Sequence, residues 1–133
     1  MLTLYIVVCQ VNNLIDKCGE YLDFIGLGDD FAGQRGMLIS PGLWRKFLKP
    51  VYKKLFERVK EAKLIIWFHS CGSIREVLPD LVDIGLDVWE TVQIHLRGNN
   101  PGELKKEFGK YITFAGGIST QSTLPFGSPA DVR

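Results

Sequence analysis

Leu64-Ile65-Ile66-Trp67-Phe68-His69-Ser70-Cys71-Gly72-Ser73 is the stretch on which the fold turns. Its apolar head carries no charge and reads as a strand buried on both faces, as in a parallel sheet. It then delivers an imidazole and a thiol two residues apart. Gly72 permits a tight turn, and Ser73 with Glu76 has the spacing of a capping box that opens a helix. A strand ending in His and Cys just before a helix is a βα unit with chemistry at its C-terminal end.

The remaining sequence repeats this grammar. Leu4, Val7, Val8, Val11, Leu14, Ile15 and Cys18 recur at helical spacing, and Gly19 is a plausible stop. Cys9 and Cys18 read as core residues of that helix. A strand over Tyr21–Leu27 runs into an exit containing Asp29, Asp30 and Gln34. Ser40-Pro41 is a cap followed by an N1 proline. An apolar stripe from Trp44 through Phe47, Tyr52 and Phe56 to Ala62 reads as core packing, with Pro50 set to kink or split the helix. Downstream come a helix over Ile74–Ile84, a strand over Asp87–Gln93, and a short helix capped by Asn100-Pro101-Gly102-Glu103. A strand over Tyr111–Ala115 follows, and Ser128-Pro129 announces one more helix.

The order α-βα-βα-βα-βα, without an Asn-Gly hairpin signal between strands, predicts an α/β fold with parallel strands. No strand exit carries G-x-G-x-x-G. The alternation fits either a doubly wound sheet or part of a (β/α)8 barrel. A full barrel takes about 250 residues, and four βα units in 133 residues are half of that, a partial TIM barrel.

Composition narrows the function. Hydrophobic residues at 46% and charged residues at 23% are globular proportions. Sixteen basic residues against fifteen acidic leave a net charge near +1, which argues against nucleic acid or a membrane surface as partner. No apolar run reaches the roughly 18 residues of a membrane span. Three cysteines, an odd number without framework spacing, suit a reducing cytoplasm.

In parallel α/β folds the site forms at the C-terminal ends of the strands. Asp29, Asp30 and Gln34 follow the first strand and His69 and Cys71 the second. Glu90, Gln93 and His95 accompany the third, and Ser119 and Gln121 follow the fourth. Four exits with such groups point to a pocket lining. Asp29-Asp30 reads either as turn residues or as catalytic carboxylates, an acid beside a base if both face one pocket. His69-x-Cys71 has two ligand types that zinc favours, and a tetrahedral site needs at least one more protein ligand. Gln34, Glu90, Gln93 and Gln121 are the candidate substrate-binding side chains.

The motifs Asp23-Phe24-Ile25-Gly26-Leu27-Gly28-Asp29-Asp30-Phe31-Ala32-Gly33-Gln34, Ile39-Ser40-Pro41-Gly42-Leu43-Trp44, His69-Ser70-Cys71-Gly72-Ser73, Gly85-Leu86-Asp87-Val88 with Gln93, and Phe114-Ala115-Gly116-Gly117-Ile118 come in an order that resembles the uroporphyrinogen decarboxylase family. The likeness runs from about Asp16 to Arg133 and corresponds to the C-terminal half of that family's barrel. It implies that residues 1–133 are one fragment of a TIM-barrel domain, with further units expected before Met1 and after Arg133. Two parent chemistries follow from it. One is cofactor-free decarboxylation of uroporphyrinogen, a tetrapyrrole, in porphyrin biosynthesis. The other is zinc-dependent methyl transfer from a corrinoid protein to a small thiol such as coenzyme M. In those methyltransferases a His-x-Cys pair at this strand end ligates zinc, a role the resemblance carries to His69 and Cys71.

The departures are specific. A further cysteine ligand of the methyltransferases is expected beyond Arg133, and the decarboxylases' substrate-binding aspartate belongs to the other half. Ser119 stands where an acid is common, and Trp89-Glu90-Thr91 replaces a more usual Asn-Pro. The sequence favours methyl transfer for the parent enzyme, because decarboxylation gives the His-x-Cys pair no task. A non-catalytic half-barrel, pairing two copies through open sheet edges, is the competing class.

Overall fold

In a computed structural model, the backbone is described for residues 2–132 and side chains for residues 6–132. The chain opens with helix α1 (Leu2–Cys18) and a single 3₁₀ turn (Gly19–Tyr21). Strand β1 (Phe24–Gly28) follows, then a two-rung hairpin of β2 (Ala32–Gly33) and β3 (Gly36–Met37). Helices α2 (Pro41–Phe47) and α3 (Lys49–Glu61) lead to β4 (Ile65–His69) and α4 (Leu78–Asp83). The chain ends with β5 (Val88–Val92), α5 (Pro101–Phe108), β6 (Thr113–Gly116) and α6 (Thr123–Phe126).

The four long strands form one parallel sheet in the order β1-β4-β5-β6, which is chain order. Crossovers of one hand that never reverse direction keep all helices on one face. A doubly wound sheet would require a reversal and helices on both faces. The fold is therefore α/β, an arc of four strands of the kind that eight strands close into a TIM barrel. Among the described residues no helix is long and apolar enough to cross a membrane.

One face of the arc carries the core. Ile25, Ile66, Phe68 and Trp89 point toward the helices and are buried, as are Trp44, Tyr52, Leu55, Phe56 and Val59 opposite them. The aromatic stripe is thus core, as expected from its spacing. Tyr52 meets Phe68 edge-on with ring centroids 5.4 Å apart and stacks on Trp44 at 6.1 Å. Pro50 splits the stripe: α2 ends at Phe47 and α3 begins at Lys49, with proline in its first turn, where a missing N–H leaves no bond unmade. Phe47 falls at the break and is exposed.

The expectation of a strand buried on both faces does not hold for β4. Ile66 and Phe68 are fully buried, while Ile65 on the opposite face is 46% exposed. Among the described residues, Phe24 on the same face is likewise exposed. Phe24 and Trp67 partly cover each other there, with centroids 5.6 Å apart.

Two local expectations also change. The Ser73–Glu76 capping box does not form. Helix α4 begins at Leu78 without a side-chain cap, with Pro79 in its first turn. The Ser73 amide donates across to Gly33 O at 3.4 Å, so Ser73 is engaged with the hairpin. Cys9 is exposed and Cys18 half-buried, because the buried ridge of α1 runs through Val11 and Ile15. The Asn100 cap forms as its sequence indicates, Oδ1 accepting from Glu103 N at 3.0 Å.

Candidate functional site

The exits of β1 and β4 lie side by side, with Gly28 paired to His69. A glycine suits this rung, because a Cβ there would already sit 3.3 Å from His69 Cβ. Next along the chain, the Asp29 amide donates to His69 O at 3.1 Å. This ties the Asp29-Asp30 turn to the strand end carrying the imidazole.

The two aspartates then part. Asp29 accepts from the Tyr52 hydroxyl at 2.5 Å, and burial followed by this carboxylate pushes the phenol well above its ordinary range. Asp30 turns the other way, its Oδ1 accepting from Cys71 N at 2.8 Å and lying 3.8 Å from His69 Nε2. The Cys71 Sγ is 3.6 Å from the same Nε2. Ligand atoms of Asp30, His69 and Cys71 all lie within 4.8 Å of one another. The acid-beside-base pairing thus has no common pocket for Asp29 and Asp30. The structure joins Asp30 to the His-x-Cys pair.

Burial, then the Asp30 carboxylate, then Glu90 push the Cys71 thiol above its ordinary range. Each disfavours a bare thiolate, and a cation among these groups would reverse that preference. Glu90 Oε2 lies 3.8 Å from His69 Nδ1 and accepts from Trp67 Nε1 at 2.8 Å.

Several side chains hold the His69–Gly72 segment in place. Thr91 Oγ1 lies 2.8 Å from His69 Nδ1, which leaves Nε2 as the ring nitrogen facing Cys71 and Asp30. Thr91 has φ +70°, costly for a β-branched residue, where the β5–β6 register shifts between Trp89 and Val92. Gln93 Oε1 accepts from Gly72 N at 2.8 Å, and the buried Asn99 amide donates to Gly72 O at 3.2 Å. Trp89 Nε1 donates to Ser70 O at 3.1 Å. The Gly72 turn itself has φ +82° and rests against the hairpin backbone at Ala32 and Gly33.

The remaining candidates divide. Glu90 and Gln93, with Trp67, Thr91, His95 and Ser119, border a cleft of 280 Å³ between the ends of β5 and β6. Gln34 is exposed at the tip of the β2–β3 hairpin, and Gln121 is exposed after β6. Ser119 Oγ accepts from the amides of Gln121 and Ser122 at 3.3 and 3.1 Å, a local turn.

Sequence reading missed Thr91, Asn99 and Trp89 as supports. Asn99 is adjacent to a capping asparagine and carries no distinguishing signal. Thr91 is visible only as a departure from the Asn-Pro of the resembled motif.

Comparison with protein families matches residues 10–133 to the family described as uroporphyrinogen decarboxylase (URO-D). Searches of curated proteins and of solved structures returned no match.

Proposed function

Since the chain belongs to the uroporphyrinogen decarboxylase family, we propose that it serves zinc-dependent methyl transfer from a corrinoid protein to a small thiol, with His69 and Cys71 as metal ligands. The observation that carries this reading is the convergence of His69 Nε2 and Cys71 Sγ at 3.6 Å at a strand's C-terminal end. Tetrahedral bonds of about 2.0–2.3 Å set neighbouring ligand atoms roughly 3.3–3.8 Å apart. The pair fits that spacing, and one imidazole with one thiol is a borderline-soft donor set suited to zinc. Zinc, when bound, lowers the pKa of a thiol and keeps a nucleophilic thiolate at neutral pH.

The chain's own residues supply positioning. Thr91 fixes the imidazole orientation through Nδ1, as outer partners of ligating histidines commonly do. Gln93 and Asn99 hold the Gly72 turn that follows Cys71. The cleft bordered by Glu90, Thr91 and Gln93 is not lined by His69 or Cys71; it neighbours them through the contacts of Glu90 and Thr91 with the imidazole. Decarboxylation of a tetrapyrrole gives none of these contacts a metal-directed purpose, and no feature of the cluster favours it.

The test is zinc content per chain of purified protein, wild type beside His69→Ala and Cys71→Ala. A second assay follows methylcobalamin demethylation by coenzyme M, with uroporphyrinogen decarboxylation run in parallel. Zinc bound by the wild type and lost in both variants is expected, with methyl transfer as the activity of the complete barrel. Metal-independent uroporphyrinogen decarboxylation by that barrel would overturn the reading.

A further inference from the structure

We infer that Asp30 is a further protein ligand of the metal centre, so that residues of this chain offer it a His–Cys–Asp donor set. The inference rests on the metal reading above and goes beyond it by assigning a ligand the His-x-Cys motif does not contain. The ligand atoms of Asp30, His69 and Cys71 all lie within 4.8 Å of one another, and no other such group of His, Cys, Asp and Glu occurs among the described residues.

The three donors are held by separate contacts. Asp30 Oδ1 is anchored by the Cys71 amide at 2.8 Å and stands 3.8 Å from His69 Nε2. A carboxylate has about four lone-pair sites on two oxygens, so one amide bond leaves it able to coordinate. His69 Nδ1 is taken by Thr91 at 2.8 Å, leaving Nε2 for the same space. Cys71 Sγ reaches that nitrogen at 3.6 Å. The pairing of Gly28 with His69 sets the Asp30 turn beside the β4 exit.

Charge points the same way. Glu90 adds a second carboxylate 3.8 Å from the imidazole, and among the described residues no lysine or arginine forms an ion pair with Asp30 or Glu90. A divalent cation supplies the missing positive charge. With Asp30 in the set the metal takes one sulfur, one nitrogen and one oxygen from the protein. A fourth position stays open for one more sulfur ligand.

Cobalt(II) titration of metal-free protein tests this, because tetrahedral cobalt reports ligand type through visible ligand-field bands and a thiolate-to-cobalt band in the near ultraviolet. The wild type is expected to bind one cobalt per chain with a single-thiolate spectrum. Asp30→Ala should weaken binding about tenfold or more, the least that loss of a supporting residue costs at such sites. Asp30→Cys should restore binding and roughly double the thiolate band, a gain that a merely structural position would not give. Asp30→Ala binding cobalt with wild-type affinity, together with Asp30→Cys showing only the single-thiolate band, would overturn the assignment and leave the His69–Cys71 reading standing. Failure of the wild type and Asp30→Cys alike to bind cobalt would overturn both.

Discussion

Replacing Gly72 by alanine tests whether the His-x-Cys segment and the hairpin are seated backbone against backbone. Gly72 has φ +82°, and a Cβ there would lie 2.6 Å from Gly33 N and 2.7 Å from both Ala32 C and Gly33 O. Main chain cannot swing aside as the end of a long side chain can. Phe31, one residue before the hairpin, is buried among Trp44, Tyr52 and Phe68. The left-handed conformation costs a non-glycine residue about 1–2 kcal/mol. Forcing extra volume into a packed contact costs about 1–3 kcal/mol more. The sum, about 2–5 kcal/mol, is a thirtyfold to several-thousandfold change at about 1.4 kcal/mol per factor of ten.

Urea unfolding followed by tryptophan fluorescence should therefore show the Gly72→Ala midpoint lowered by about 1 M or more. Zinc affinity should fall as well, because a displaced hairpin carries the Asp30 turn away from His69 and Cys71. Gly26→Ala is the control. Gly26 lies in β1, where a Cβ meets nothing within 4 Å, so its expected change is within about 0.5 kcal/mol. A Gly72→Ala protein that unfolds at the wild-type midpoint would refute the reasoning, since no close contact of main chains could then exist there.

Thr91→Val keeps the shape but loses the oxygen 2.8 Å from His69 Nδ1. Zinc affinity should drop about 10- to 100-fold, with Thr91→Ser recovering most of it in the same titration. Tyr52→Phe removes the hydroxyl that donates to Asp29 while keeping the ring packed, and should cost about 1–3 kcal/mol in urea unfolding at pH 7. Asp80 accepts from Arg45 and Lys49 at 2.8 Å each. Burial works against its charge, but these bonds outweigh it and hold the carboxyl below its ordinary 3.8. A depressed carboxylate stabilises the fold above its unfolded pKa, and that stability is lost as pH falls through the folded value. Asp80→Asn should thus be less stable than wild type by about 1 kcal/mol at pH 7, and the two unfolding midpoints should converge as pH drops below 3.8. A constant difference across that range would exclude the linkage.

The βα alternation and the parallel sheet were legible because they rest on local signals: a 3.6-residue stripe from Trp44 to Val59, a proline at Pro50, and the Asn100-Pro101 cap. These depend on neighbours in the chain, and propensity acts over that range. The His69-x-Cys71 pair was legible for the same reason. The hairpin at Ala32–Met37 was not, since its glycines flank Gln34-Arg35 instead of forming an Asn-Gly turn and Gly36 supplies the positive φ. The capping box at Ser73 was locally plausible and lost to a long-range contact with Gly33.

By itself, then, the amino-acid sequence determined where the four strands of the parallel sheet lie, where the long helix stripe faces, and that polar side chains gather at the strand exits. Tertiary structure alone decided which of those side chains meet. Asp29 and Asp30 are adjacent and chemically identical, yet one goes to Tyr52 and the other to Cys71 and His69. Thr91 reaches His69 from 22 residues away. Such partnerships are set by strand register and by a bulge in β5, which depend on the packing of the whole sheet and leave no periodic trace in the sequence.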